Sequence, residues 1–462
     1  MMKQTLLLLT LLATTACAIG PDYKAPSMAL TQTFAEGSAG PIGEVAARRW
    51  WTAYNDPLLT GLVDRGLAQN LDIVGARERI TAARAALGQT GLAAAVDGSA
   101  SRSRSRAGSD TVAAGTTYSS SLDASVVIDL FGGIRRGREA AAASLQGAEF
   151  DEGTTRLAYL TAILGAYLDA RYYQEALALT RQTISSREET LRITGNQREL
   201  GSATELDQAQ VQALLDDARA DLPGLEANFL ANVYAIATLL AEPAQPLVDR
   251  MQRGAAQPRP RGGIATGIPA ELLRNRPDVR SDERALAQAV ANVGVATASL
   301  LPSVTLSGSV TEGGTGAWSF GPSITQSILG LPALARTREQ AKSEARQAEI
   351  TWRSTVLSAV EDVQSANAAW RRSGRTVALL GQSVTSYDRA LTLGRSTYEQ
   401  GALSLLDLLD SDRSLASARL SLASAVRDQA VDYATLQIAL GAGAFPNARP
   451  VTVAAASAVT AP

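Results

Sequence analysis

The sequence predicts an α+β membrane protein in which four short strands of each chain join those of other chains in a closed β-barrel, continuous with a coiled-coil barrel of long helices. Three observations lead to this prediction. One order of features occurs twice, the short extended segments alternate apolar and polar residues, and the long segments show helical periodicity. Four strands cannot close a barrel alone, so the prediction requires several chains.

The first residues have the pattern of an export signal that ends at the only cysteine of the chain. Lys3 precedes a leucine-rich stretch, and small residues lead from this stretch to Cys17. This is the order of a cleaved signal peptide, and the apolar stretch is too short to remain as a transmembrane helix. We expect lipidation of Cys17 and a place in the envelope of a Gram-negative bacterium. An ordinary signal with an unmodified cysteine is the alternative.

The composition excludes several classes of enzyme. The 462 residues include no histidine and one cysteine, and the net charge is −2. Ser-His-Asp and Cys-His catalysis and His-ligated metal sites are therefore excluded, and nothing in the net charge supports nucleic-acid binding. We expect no enzymatic activity, no cofactor and no resident metal. A carboxylate-pair enzyme is the alternative, but no pocket signature accompanies it.

The chain contains two tandem copies of one unit. The segment from Gly201 to Asp207 returns as the segment from Gly401 to Asp407, and each copy leads into a long helical pattern. A Pro- and Gly-rich stretch separates the copies, as expected of a linker. The predicted organisation is a signal peptide (1–16), a lipidated N-terminal segment (17–45), repeat 1 (46–250), a linker (251–262), repeat 2 (263–445) and a disordered tail (446–462).

Each copy reads helix, strand, strand, helix, turn, helix. From Arg135 to about Gln197 no proline interrupts the helical pattern, which predicts a helix of about 95 Å. From Thr337 to Gln400 the steps of three and four residues predict a coiled-coil seam. Its positions are 341, 345, 348, 352, 356, 359, 363, 366 and 370.

Both long helices are predicted to end in glycine hairpin turns, at Gly201 and Gly401. Capping boxes are expected at the start of each returning helix. The pairs are Ser202 with Glu205 and Ser404 with Asp407.

The extended segments have one apolar face and one Ser/Thr face, which is typical of a strand between lipid and water. The apolar positions are Leu122, Ala124, Val126, Ile128 and Leu130, then Val304, Leu306, Gly308 and Val310, then Phe320, Ile324 and Ile328. A soluble sheet is the alternative from alternation alone. Open edges are not tolerated in lipid, and three chains would supply twelve strands.

The first strand, Ser99 to Arg106, fits this pattern less well. Arg102, Arg104 and Arg106 share one face, which we expect to lie in water; a soluble loop tip is the alternative.

Several motifs resemble those of one known family. They are Cys17–Pro26, Trp50–Leu59, Ile128–Gly132, Leu272–Arg280, Leu301–Ser303 and Val360–Val363. On these residues the chain resembles the outer-membrane efflux lipoproteins, the NodT/OprM branch of the TolC-like outer-membrane factors, over nearly its whole length. The resemblance implies a homotrimer with a twelve-stranded outer-membrane barrel over a periplasmic helical tunnel. It also implies an exit duct that docks onto an inner-membrane RND transporter through a periplasmic adaptor protein.

The resemblance also implies a periplasmic gate just after the second hairpin. Asp407 and Asp410 match acidic constriction residues, and Leu406 and Arg413 match an apolar plug and a gate-holding arginine. Asp207 and Tyr398 match a pair that ties the hairpins shut. Without the resemblance, Asp407 reads as a residue that compensates the helix dipole, and Asp410 with Arg413 as an ordinary i,i+3 pair.

If three chains converge at this gate, its ring of carboxylates should favour cations and trap divalent ions at Asp407 and Asp410. The leading hypothesis is a passive efflux duct for drugs or other small molecules. A duct for type I protein secretion and a lipid-anchored coiled-coil scaffold without a pore are the alternatives.

Overall fold

A computed structural model describes residues 18–37, 40–91, 93–105, 115–312 and 316–445. Cys17, the predicted signal peptide and the tail 446–462 lie outside the described residues. The chain forms two compact units. The sheet unit combines the N-terminal segment up to Ala29 with Arg77–Asp151 and Arg280–Thr355, and the hairpin unit combines Leu30–Ala76, Glu152–Val279 and the chain from Val356 onward. Each unit therefore takes segments from both sequence copies.

The order of elements repeats along the chain, as the sequence predicts. In the first half, α1 (Pro57–Gln69), α2 (Leu71–Gln89), β1 (Ala94–Ser105), β2 (Gly115–Ile128), α3 (Gly133–Glu199), α4 (Glu205–Leu239) and α5 (Gln245–Met251) follow a 3₁₀ turn at Trp50–Tyr54. In the second half, α6 (Leu272–Asn275), α7 (Pro277–Ala298), β3 (Ser303–Glu312), β4 (Ala317–Thr325), α8 (Leu331–Glu399) and α9 (Leu405–Ala439) follow a 3₁₀ turn at Pro269–Glu271.

The four strands form one antiparallel sheet in chain order. The register sets odd-numbered residues opposite odd-numbered ones, so that each face is continuous across the sheet. One face carries serine, threonine and aspartate, and serine hydroxyls bond across strands, as in Ser99 with Ser121 at 2.9 Å. The other face is apolar and exposed in the single chain, with Trp318 80% exposed.

The strand ends differ from the sequence prediction, most of all in β1, which begins at Ala94, five residues before the predicted Ser99. β4 ends at Thr325, so Ile328 lies beyond the strand rather than in it. β2 ends at Ile128, and Asp129 instead accepts a hydrogen bond from the backbone N–H of Arg135 at 2.9 Å. This carboxylate satisfies a free N–H group in the first turn of α3.

The long helices lie where they are predicted, and α8 also has the predicted seam. α3 has 67 residues and α8 has 69. Helices of this length depend on packing partners along their course, and the seam of α8 supplies them through fully buried Val356, Ala359 and Val363. α8 begins six residues before the predicted start because Pro332 stands at the second helical position, where proline is tolerated.

The hairpin turns contain Gly201 and Gly401, with φ of +77° and +75°. These values lie in the left-handed region that glycine adopts without steric cost. The predicted capping box of Ser202 with Glu205 is wrong. Thr204 caps α4 and forms a capping box with Asp207. Ser202 does not cap α4 because its hydroxyl donates a hydrogen bond to Gln197 O, near the end of α3, at 2.9 Å.

In the sheet unit, one buried arginine holds the N-terminal segment. The side chain of Arg136 is 5% exposed and pairs with Asp22 and Glu139, each at 2.7 Å. It also donates to the backbone oxygen of Gly20 at 3.3 Å, and Ile19 N–H donates to Phe131 O at 3.1 Å. The residues that follow position 17 are therefore fixed beside the turn between β2 and α3.

In the hairpin unit, a buried carboxylate fixes two loops. Glu271 accepts backbone N–H groups from Ile42 at 3.0 Å, Gly43 at 2.7 Å and Ile268 at 3.1 Å. Burial acts to raise the pKa of Glu271, but these three hydrogen bonds outweigh it, and the pKa lies below its ordinary value. The charged form is therefore the one that the fold stabilises.

Close packing in the same unit leaves no space for a side chain at position 66. A Cβ added to Gly66 would lie 1.7 Å from Tyr159 Oη, whereas one added to Gly61 in the same helix would meet nothing within 4 Å. Among the described residues, no helix combines the length and the apolar character needed to cross a membrane.

Candidate functional site

The first turns of α9 have one buried face and one exposed face. Leu405, Leu408 and Leu409 are buried and pack in a cluster with Val211, Leu214, Leu391, Tyr398 and Leu415. The four predicted gate residues share the exposed side: Leu406 is 65% exposed, and Asp407, Asp410 and Arg413 are exposed as well. One chain thus presents an apolar residue, two carboxylates and a guanidinium on a single helix face.

Asp407 lies at the third position of α9, next to the cap. Ser404 is the cap residue, and its hydroxyl donates to Asp407 Oδ2 at 2.6 Å. A carboxylate in the first turn also compensates the helix dipole. Within the described residues, no ion pair joins Asp410 to Arg413, so the i,i+3 pair that the sequence offered as an alternative is not formed in the single chain. Both charges remain available at the surface.

Asp207 and Tyr398 bond to other groups within the chain. The Asp207 carboxylate accepts the Thr204 N–H at 2.8 Å and the Thr204 hydroxyl at 2.7 Å, and these bonds lower the pKa of Asp207. The Tyr398 hydroxyl lies 3.4 Å from that of Thr194. A tie between Asp207 and Tyr398 therefore remains a prediction, and the single chain shows no direct bond between them among its described residues.

A buried ion pair lies behind the gate face, and the sequence analysis missed it. Arg187 of α3 donates from Nε to Asp412 Oδ2 of α9 at 2.7 Å, and the two side chains are 9% and 8% exposed. Arg187 Nη1 also donates to Leu214 O of α4 at 2.6 Å. One guanidinium thus joins three helices behind the exposed carboxylates. Asp412 stands between Asp410 and Arg413 in the sequence. Its spacing of seven and four residues from the buried Leu405 and Leu408 was the signal that could have indicated a buried position.

The described residues of one chain contain no group of three or more His, Cys, Asp or Glu side chains that could hold a metal. Divalent trapping at Asp407 and Asp410 would accordingly need carboxylates from more than one chain.

A four-stranded sheet with a polar and an apolar face, in a chain that also carries two long helical hairpins, defines the class of outer-membrane efflux channels. The chain belongs to the outer membrane efflux protein family, whose model matches residues 62–242 and 268–442. It is accordingly a protein of the outer membrane that functions in efflux. The recognition of the family and the predicted fold class are confirmed.

Three similar proteins illustrate the assignment. Nodulation protein T of Rhizobium leguminosarum bv. trifolii is 40% identical over 448 residues, which cover 94% of this chain and 96% of that protein. The pyoverdine export outer membrane protein OpmQ of Pseudomonas aeruginosa is 30% identical over 440 residues, which cover 90% and 92%. The solved structure of the outer-membrane channel OprN has a TM-score of 0.84 at 29% identity and covers 93% of this chain and 100% of that one. OpmQ is described as an export protein and OprN as a channel.

Proposed function

We propose that three copies of this chain form a passive exit duct of a tripartite efflux system, with no catalysis of its own. The observation that carries the proposal is the sheet. Its outer strands, β1 and β4, each have a partner on one side within the chain, and one of its faces is apolar while the other is lined with hydroxyls. Open edges are unstable in lipid, and pairing of β1 with β4 of the next chain would remove them.

Three chains would close twelve strands with a polar interior, which is a water-filled passage of the porin kind. The sheet of one chain is too small to enclose such a passage. The serine hydroxyls that pair across strands would line the passage, and the apolar face would contact lipid.

The gate in this proposal is the exposed face of α9. Leu406, Asp407, Asp410 and Arg413 would converge from three chains, with Asp207 and Tyr398 tying the hairpins shut. Carboxylates that meet in a narrow, poorly solvated ring raise a strong negative potential, which favours cations and can retain divalent ions. Opening would separate the hairpin helices, a shift of population driven by contacts with a partner.

The partners in this proposal are a periplasmic adaptor protein and an inner-membrane RND transporter, which would supply the energy and select the drugs or other small molecules to be exported. Lipid on Cys17 would be a second anchor, because the twelve strands of the barrel would already hold the trimer in the membrane. We therefore expect Cys17→Ala behind an ordinary signal peptide to leave some assembled duct.

The proposal is tested by the mass and conductance of the purified protein. Native mass spectrometry of the detergent-solubilised full chain should give three copies, and planar bilayers should show single-channel steps. A pore-free scaffold would extract without integral-barrel behaviour and would not conduct, which would refute the proposal. A conducting trimer that co-purifies with an ABC exporter instead of an RND transporter would move the assignment to protein secretion.

A further inference from the structure

Two basic residues continue the apolar face of the sheet at the far end of β1. Along this face β1 carries Ala94, Val96, Gly98 and Ala100, followed by Arg102 and Arg104. The register sets Arg102 opposite Tyr118 and Arg104 opposite Thr116. Arg102 and Arg104 therefore share a face with the apolar residues, whereas the sequence analysis expected them on a face in water; Arg106 lies outside the described residues.

The Arg102 guanidinium is placed by an aromatic ring. Its Cζ lies 5.2 Å from the centroid of the Tyr118 ring, which is a cation–π distance. Both residues are exposed. Within the described residues no carboxylate forms an ion pair with Arg102, so its N–H donors are available to another acceptor.

Among the described strand residues, negative charge is scarce near this end of the apolar face. Asp97 and Asp123 pair with each other on the opposite, polar face. Among the described strand residues, the acid on the apolar face is Glu312, which pairs with Ser120 of β2. Glu312 thus stands two strands away from β1. The arginine end of β1 is a local positive patch, complementary to an anion.

In the proposed barrel, the patch would lie at the depth where the membrane changes from hydrocarbon to headgroup. From Ile128 to Tyr118 the apolar face of β2 extends about 34 Å along the strand, at about 3.4 Å per residue. With a strand tilt of roughly 40°, this corresponds to about 26 Å along the membrane normal, close to the apolar band of about 25 Å of barrel proteins. Aromatic residues such as Tyr118 are typical of this boundary.

We propose that Arg102, supported by Tyr118, binds a phosphate group on the headgroup of a phosphorylated glycolipid in the outer leaflet. The proposal rests on the proposed function, because only a barrel would turn the apolar face toward lipid. A guanidinium presents a planar fork of donors that matches phosphate oxygens. The hydrocarbon chains of the same lipid would cover the exposed apolar residues below, which explains why charge and apolar surface occur together on one face.

The test uses the full chain in detergent and a diphosphoryl glycolipid with its enzymatically dephosphorylated form as probes. Retention of each lipid is measured by native mass spectrometry, for the wild type, for Arg102→Ala, for Arg102→Ala with Arg104→Ala, and for Arg102→Lys. We expect the wild type to prefer the phosphorylated form, and Arg102→Ala to weaken this binding about fivefold. Arg102→Lys should give intermediate retention of the phosphorylated lipid, because lysine keeps the positive charge but lacks the planar set of N–H donors of arginine. Arg353→Ala removes an exposed arginine of α8, 56% exposed, and should change nothing.

Equal retention of the two lipids, or equal retention by the wild type and the double variant, would overturn the proposal. Displacement of the lipid by millimolar inorganic phosphate would identify a site for soluble anions and would also overturn it. Because binding is read in detergent, it does not depend on conduction. In phosphatidylcholine bilayers the double variant should conduct like the wild type. A trimer that prefers the phosphorylated lipid but fails to conduct would refute the duct alone, because the lipid site needs the barrel and not an open passage.

Discussion

Loss of the buried ion pair of Arg187 with Asp412 should loosen the hairpin that carries the gate face. The guanidinium contacts Asp412 Oδ2 at 2.7 Å and Leu214 O at 2.6 Å. Two charges about 4 Å apart attract by about 4 kcal/mol at an effective dielectric constant near 20. Removing one partner of a buried pair costs about 3–5 kcal/mol because the other charge stays buried without its counterion. We take about 3 kcal/mol for Arg187→Ala, since both side chains keep slight exposure.

The assay is amide hydrogen exchange of the first turns of α9, which reports the free energy of local opening. A loss of about 3 kcal/mol corresponds to exchange about 150-fold faster. The matched control is Arg219→Ala. Arg219 pairs with Glu188 at 2.7 Å between α4 and α3, but these side chains are 49% and 50% exposed, and an exposed pair contributes about 0.2–1 kcal/mol. Exchange that rises no more in Arg187→Ala than in Arg219→Ala would refute the reasoning, whereas the charge-reversed pair Arg187→Asp with Asp412→Arg should restore part of the protection.

Three further predictions concern parts of the fold away from this pair. Gly66→Ala should lower the free energy of unfolding by about 1–3 kcal/mol in denaturant titration, because its methyl group would overlap Tyr159, while Gly61→Ala should leave it unchanged or slightly raise it. Arg136→Ala should free the N-terminal segment, and limited proteolysis should cut between positions 20 and 30 at least tenfold faster. Stability should fall in acid through Glu271, whose folded pKa lies below its unfolded value. Its contribution is complete above the unfolded pKa, about 4.5, and is lost as the pH falls through the folded pKa.

Each of these three predictions would be contradicted by one experimental result. Equal unfolding curves for the two glycine variants would mean that the helix moves away from the tyrosine without cost. If Arg136→Ala is cut no faster than the wild type, the backbone hydrogen bond from Ile19 N–H to Phe131 O is what fixes the N-terminal segment. If Glu271→Gln kept the wild-type loss of stability between pH 5 and 3, other carboxylates would cause that loss.

The elements that repeat a simple period could be predicted from the sequence. The helical seam of α8 appears at the predicted positions because burial on one face leaves a direct mark on residue type. The alternation of β2 and β3 also appears as predicted, because successive residues of a strand point to opposite faces of the sheet. Gly201 and Gly401 likewise stand in the turns, because few other residues adopt their backbone conformation.

Features that depend on pairing across long separations could not be predicted. Asp412 stands at a position of the buried stripe of α9, but its partner Arg187 lies 225 positions earlier. Nothing in the local pattern couples the two. The choice of Thr204 over Ser202 as the cap of α4 depends on how far the turn continues after its glycine, which tertiary packing decides.

The most direct test of the proposed duct concerns the acidic gate. Single-channel recordings of the wild-type trimer in a planar bilayer should show preference for cations and block by divalent ions added from the hairpin side. Asp407→Asn with Asp410→Asn should abolish the block and reduce the cation preference, while Asp249→Asn, an exposed acid of α5, should change neither. Unchanged selectivity and unchanged block in the double variant would contradict the assignment of the gate to this face of α9.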